Sequence, residues 1–166
     1  MSTPAAARIM RRVNRLEYAR GRAGADMRQA ESVRLKHDCE GIDWLALIDL
    51  FKLSDLGGRE GDKVRRSFEN SDVVCFAFDG PKLVGSARAL SDFEYHATIY
   101  DVAVHPDYQR RGIGTRMMDE VLSALPAWRV LLVADDDVRL FYSRFGFESF
   151  GKVFARIDRL KLSDPI

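Results

Sequence analysis

The feature that most constrains this chain is the succession from Ile99 to Ala134. An alternating apolar run, IYDVAV, leads into the junction HPDYQRRGIGTRM and then into a helix-period stripe of Ile113, Met117, Val121 and Leu125. Pro126 stops that helix, and WRVLLVA reads as a fully buried strand directly after it. A strand, a helix and a strand joined this closely form a β-α-β crossover, whose two strands lie parallel. The chain is thereby committed to a mixed α/β architecture.

The remaining segments fill in the order. SVRLKHD predicts a first strand, with Val33, Leu35 and His37 alternating. Asp43 predicts the cap of a helix carrying Trp44, Ile48 and Phe51 on one face. GGREG links it to a short second helix, DKVRRSFEN, with Asp62 as its cap and Val64 and Phe68 on one side. VVCFAF and LVGSARAL read as a hairpin about the tight turn DGPK, and a fourth strand covers residues 97–104. VRLFYSRF predicts a last short helix ended by Gly146 in a C-terminal cap position. The tail, ESFGKVFARIDRL, is expected to add one or two closing strands. The expected fold class is α/β (α+β), one mixed central sheet of 6–7 strands flanked by about four helices.

Composition sets the outer bounds. At 166 residues, with 46% hydrophobic and 31% charged side chains, the chain has the make-up of one globular domain able to bury a core. Its apolar runs fall far short of the ~20 residues a membrane-crossing helix needs, so a cytoplasmic location is expected. Cys39 and Cys75 have no metal-type spacing, and Cys75 within VVCFAF reads as a buried, inert thiol. Charge is unevenly spread. Residues 1–28 hold seven arginines against Glu17 and Asp26, while the remainder holds 19 basic and 23 acidic side chains. A body of that sign suits a cationic partner better than nucleic acid. Residues 1–28 are expected to form a basic N-terminal extension outside a catalytic domain at 29–166, with Met27 as an alternative start.

The junction carries the chemistry. Two arginines and two glycines, Arg110, Arg111, Gly112 and Gly114, stand where a helix begins. A helix N-terminus has unpaired N–H groups and partial positive charge, and glycine lets the backbone approach an anion closely, so a diphosphate fits. Two familiar phosphate loops are excluded. The P-loop pattern GxxxxGK[ST] is absent, and the dinucleotide fingerprint GxGxxG would need glycine where Met117 stands.

What the junction does match is Q/R-x-x-G-x-G/A, as Gln109-Arg110-Arg111-Gly112-Ile113-Gly114. It is preceded by V-x-V-x-P (Val102, Val104, Pro106) and followed by FY-x-x-x-GF (Phe141, Tyr142, Gly146, Phe147). This three-part constellation resembles the GCN5-related N-acetyltransferase (GNAT) family over about residues 32–150. The stretch from Ala87 to Gly114 is most similar to the branch of plastid and bacterial serotonin (arylalkylamine) N-acetyltransferases. The resemblance implies acetyl-CoA as cosubstrate and no metal. It implies that backbone amides from Gln109 through Arg110, Arg111, Gly112, Ile113 and Gly114 to Thr115 hold the diphosphate. It implies that Val102, Ala103 and Val104 pair with the pantetheine arm where the fourth and fifth strands splay apart, a backbone N–H near Val104 polarising the thioester carbonyl. Tyr142 is implied as the general acid that protonates the departing thiolate at the cofactor. Asp135 stands where the family prefers Asn and is a candidate contact to the same arm.

The proton acceptor is less direct. An alkylamine, with a pKa resembling lysine's ~10.4, must lose a proton before it attacks. Family members with a Glu or His base carry it at the positions matching Thr98 and Tyr100, and neither residue here can serve. A water-relayed path ending at Glu94, His96 or Asp101 is therefore expected. On a regular strand Glu94, His96, Thr98, Tyr100, Val102 and Val104 share one face, and Asp101 falls on the other in a structural role. Glu94, His96, Thr98 and Tyr100 are the candidate acceptor-side residues, Tyr100 as an aromatic wall. Asp135, Asp136 and Asp137 read as a helix start in an acidic turn rather than as metal ligands. The reading is acetyl transfer from acetyl-CoA to a primary amine, first a small arylalkylamine or polyamine. Its rivals are a protein lysine or N-terminal amine as acceptor, a non-catalytic coenzyme A-binding regulatory module, and a tRNA-directed enzyme. A monomer or a homodimer would serve equally.

Overall fold

The computed structural model describes residues 32–57 and 59–151, so the basic extension and the tail from residue 152 lie outside the described residues. The described chain divides into two compact units, one ending at Val133 and the other beginning at Ala134.

The larger unit holds a five-stranded sheet in the order β1-β2-β3-β4-β5. Its strands are β1 (Arg34–Lys36), β2 (Val73–Asp79), β3 (Lys82–Ser91), β4 (His96–Val104) and β5 (Arg129–Leu132). The first four pair antiparallel, and β5 runs parallel to β4. Five strands among the described residues replace the expected 6–7. Residues 148–150 form no strand, and the rest of the segment expected to close the sheet is the undescribed tail. β5 is also not the fully buried strand that WRVLLVA implied. No strand pairs with its far side among the described residues, and the flanking Trp128 and Val133 are 79% and 91% exposed.

Helices α1 (Trp44–Leu53) and α2 (Gly61–Glu69) precede β2. Asp43 caps α1 as expected, its Oδ1 accepting from the N–H groups of Leu45 and Ala46. The cap position of α2 is Glu60, without a side-chain bond. Asp62 instead lies in the first turn, where a carboxylate still complements the helix dipole. Leu47, Phe51, Val64 and Phe68 face the sheet and meet Val74, Phe76 and Ala103. Phe68 stacks on Phe76 at 5.2 Å between centroids, and each such burial contributes roughly 1.5–3 kcal/mol.

The opposite face is covered by α3 (Ile113–Ser123), which packs on β2, β3 and β4 with Ile113, Met117, Met118 and Val121 buried. Alternation along β2 sends Cys75 to this face. Its free thiol is fully buried, and desolvation pushes its pKa up to about 12. The second unit contains a 3-10 turn (Asp136–Val138) and α4 (Arg139–Ser143). No helix of the described residues is long and apolar enough to cross a membrane.

Candidate active site

The site is built on the last strand pair of the larger unit. β4 and β5 are paired from His96↔Arg129 to Ile99↔Leu132 and no further. From Tyr100 to Val104, β4 therefore presents its N–H and C=O groups on that side without a strand partner among the described residues. Pairing stops there because β5 itself ends at Leu132, and the stretch of β4 left without that neighbour includes Val102, Ala103 and Val104.

On its other side the same stretch is irregular. Arg88 pairs with Tyr100 and Ser86 with Ala103, so Asp101 and Val102 together oppose Ala87. Asp101 sits in the left-handed region at φ 54°, which Asp tolerates better than most residues. The bulge overturns the assumption of a regular strand. Tyr100 and Asp101 lie on the same face, both meeting Arg88, and Ala103 lies on that face too, in the core under α1 and α2. Val102 and Val104 consequently do not share the face of Thr98 and Tyr100.

Asp101 has a side chain only 2% exposed. One oxygen accepts from Arg59 and the other from Arg88 Nε. Arg88 also lies 5.8 Å from the Phe68 ring centroid, and Ser86 Oγ donates to the Asp101 carbonyl at 3.0 Å. Both carboxylate oxygens are thus engaged in ion pairs, the arrangement of a residue that holds the strand in place. Sequence reasoning missed Arg59 entirely. For Arg88 there was a signal, because a charged residue inside the apolar run LVGSARAL must find a partner.

The phosphate-type turn follows β4. His105 Nδ1 accepts from the Asp107 N–H and starts a 3-10 turn at Pro106–Tyr108, and His105 N–H donates to Val84 O at 2.9 Å. Tyr108 anchors the turn to the hairpin through its hydroxyl on Asp79 at 2.9 Å, with Lys82 and Arg111 lying 5.0 and 5.2 Å from its ring centroid. Gln109 Nε2 reaches back to Val104 O at 3.1 Å. Arg110 and Gly112 both take left-handed conformations, φ 60° and 80°. Gly112 is the N-cap residue of α3, and the first helical bond is Arg116 N–H to Gly112 O at 3.0 Å. The N–H groups of Ile113, Gly114 and Thr115 are therefore left without intrahelical partners at the positive end of the helix. That donor set fits a diphosphate, and the unpaired half of β4 beside it fits an extended amide-bearing arm.

The acceptor-side candidates are spread out. Glu94 has left the strand and lies in the loop before β4. There the Asp92 carboxylate accepts from the N–H groups of Glu94, Tyr95 and His96 at 2.7–2.9 Å, and those bonds hold its pKa down to about 2. His96 Nε2 is 3.3 Å from an Arg129 guanidinium nitrogen, and its Nδ1 is 3.6 Å from an Asp92 oxygen. His96 and Thr98 line an open hollow of about 350 Å³ together with Asp72 and Asp92. Tyr100, 39% exposed, lies farther along β4 against Arg88.

In the second unit α4 ends in a Schellman arrangement. Gly146 at φ 82° donates to Ser143 O at 3.0 Å, and Phe147 donates to Tyr142 O at 3.4 Å. The Tyr142 ring meets Phe141 and Phe147, with centroids 5.0 and 6.1 Å away, and burial pushes its phenol pKa upward. Asp135 is exposed and makes no side-chain cap bond to the turn it begins. Among the described residues no group of His, Cys, Asp and Glu could hold a metal ion.

The family model described as acetyltransferase (GNAT) family matches residues 42–147. The chain belongs to the GNAT family. A relative from Gracilaria tenuistipitata var. liui, named uncharacterized N-acetyltransferase ycf52, is 37% identical over 114 residues, 63% of either chain. One from Oryza sativa subsp. japonica, named serotonin N-acetyltransferase 2, chloroplastic, is 28% identical over 71% of this chain and 62% of its own length. This GNAT chain thus spans a little under two thirds of the length of these two relatives. Among solved structures, a GNAT family acetyltransferase from Streptococcus pneumoniae TIGR4 superposes with a TM-score of 0.63 at 26% identity, covering 75% of this chain and 98% of that one.

Proposed function

We propose that this protein transfers an acetyl group from acetyl-CoA to a primary amine, with a small arylalkylamine as the first candidate acceptor and a polyamine as the second. The observation that carries the reading is the stretch of β4 beyond Ile99 that no longer pairs with β5, which ends at Leu132, next to the Gly112-capped start of α3. The N–H groups of Ile113, Gly114 and Thr115, with Arg110 and Arg111, would hold the diphosphate, and the free edge of Val102, Ala103 and Val104 would hold the arm. Acetyl-CoA supplies the activated acetyl group. A β4 N–H at the bulge would donate to the thioester oxygen as negative charge develops, a contribution of roughly 3–4 kcal/mol for a well-placed donor.

Tyr142 is assigned as the proton donor to the departing sulfur. Its phenol carries its proton at neutral pH, as a donor must, and burial shifts its pKa further upward. The amine nitrogen forms its bond to the acetyl carbon as the carbon–sulfur bond breaks, and its proton leaves through water. The hollow at Asp72 and Asp92 would recruit the ammonium form, Asp92 staying ionised down to about pH 2. An arylalkylamine is preferred over a polyamine because Tyr100 offers a partly open ring face on which an aromatic group can pack. The test is release of free thiol from acetyl-CoA in the presence of tryptamine-like amines, polyamines and lysine peptides. Turnover fastest with the arylalkylamines supports the reading. Turnover with peptides alone would move the acceptor to protein, and absence of turnover with coenzyme A binding intact would make the chain a binding module.

A further inference from the structure

The half of β4 that has lost β5 is held from an unexpected quarter, the end of α1 and the link to α2. Arg59, in that link, pairs with Asp101 at the bulge. Ser54, the C-cap residue of α1, donates its hydroxyl to Val104 O at 3.3 Å, the carbonyl that also accepts from Gln109. Residues 54 and 59 thus grip residues 104 and 101, at the two ends of the irregular stretch. That grip stands where the β5 ladder is absent and the β3 ladder is interrupted. Arg59 is itself steadied, its Nε donating to Leu56 O at 3.2 Å and its guanidinium carbon lying 5.5 Å from the Phe51 ring centroid.

We propose that Ser54 and Arg59 form a clasp that sets the shape of the free β4 edge, which makes both of them positioning residues for acetyl transfer. The inference rests on the acetyltransferase reading above. A strand without one neighbour and with a left-handed residue in its middle has few backbone bonds to define where its N–H groups point. Side-chain anchors then fix the donor that must meet the thioester oxygen, and misplacement on the order of 1 Å costs as much as 100-fold in rate. Ser54 and Arg59 reach β4 itself, at Val104 and Asp101, so their effect passes through that strand.

The experiment uses the full chain with Arg59→Gln, Ser54→Ala and Arg59→Lys, and Arg65→Gln as a control on the exposed Arg65–Glu69 pair of α2. Coenzyme A affinity is measured by calorimetry, steady-state kinetics with the best amine, and thermal unfolding alongside. Arg59→Gln and Ser54→Ala should each lower kcat/KM for acetyl-CoA roughly tenfold or more and weaken coenzyme A binding, with the protein folded at the assay temperature. Arg59→Lys should recover part of the loss, and the control should match the parent. Folded variants with parental kinetics and affinity would overturn the clasp, and so would losses that only track the unfolded fraction. If Arg59→Gln does not fold, Ser54→Ala decides, since it removes a single part-buried hydroxyl. A parent protein that fails to bind coenzyme A at all would instead sink the acetyltransferase reading, and the clasp with it.

Discussion

Arg88 lies with its guanidinium carbon 4.8 Å from the ring centroid of Tyr100 and donates from Nε to the carboxylate of the next residue, Asp101. Consecutive residues of a strand ordinarily point to opposite faces, so one side chain touching both is the mark of the bulge. It also leaves Tyr100 as a ring fixed from behind by a cation, with 39% of its surface open.

Tyr100 is therefore expected to bind the acceptor through its ring and not its hydroxyl. Tyr100→Phe should keep kcat/KM for an arylalkylamine within about twofold, whereas Tyr100→Ala should lower it roughly five- to thirtyfold, the equivalent of 1–2 kcal/mol of aromatic contact. The KM for acetyl-CoA should move little in either. Equal losses in the Phe and Ala variants would show that the hydroxyl is what matters.

Asp101 should prove to be a stability residue of unusual weight. Asn keeps the tolerance for φ 54° but leaves Arg59 and Arg88 without a counter-charge, and breaking a buried pair from one side costs about 3–5 kcal/mol. Urea unfolding of Asp101→Asn measures that loss directly. A change below about 1 kcal/mol, the span of exposed pairs, would mean the cluster is solvated in practice.

Much of the architecture was legible because it is local. The Ile113, Met117, Val121 stripe, the DGPK hairpin, the Asp43 cap and the Gly146 stop each depend on residues within one turn or one strand. What was not legible depends on partners far along the chain. The bulge exists because of the register between β3 and β4, which no alternation pattern within β4 reveals. The Arg59–Asp101 pair joins residues 42 positions apart. β5 read as buried from its apolar run, but burial of a strand is set by its neighbours, and one side of β5 has none among the described residues. Among the acceptor candidates His96 and Thr98 share one hollow, while Glu94 stands apart for a related reason. Glu94 was counted into a strand that starts two residues later.

Gly112 should resist substitution. At φ 80° any L side chain is strained, so Gly112→Ala should cost about 1–2 kcal/mol of stability. It should also cost affinity for coenzyme A, because relief of the strain tilts the N–H groups of Ile113, Gly114 and Thr115 at the start of α3. Calorimetry on Gly112→Ala and on Gly151→Ala, a glycine with open space around it, separates the effects. Unchanged coenzyme A binding in Gly112→Ala would remove the phosphate role from this turn.

Tyr142→Phe addresses the proton. As donor to the leaving thiolate, the phenol should be worth about 10²–10⁴ in kcat, with affinity for acetyl-CoA little changed. The pH dependence gives a second, independent mark. Only the protonated phenol can donate, so activity that depends on it is present below its pKa and falls as pH rises through it. Burial lifts that pKa above the ordinary tyrosine value of 10.0, which moves the alkaline fall of kcat upward. The same shift makes the folded state hold its proton longer than the unfolded chain, so this group's contribution to stability is complete below pH 10 and declines above it. In Tyr142→Phe the residual activity should lose that alkaline limb, because phenylalanine has no proton to surrender. A Phe variant with parental kcat, or one that keeps the same alkaline fall at reduced rate, would assign the proton to another group and leave Tyr142 as packing between Phe141 and Phe147.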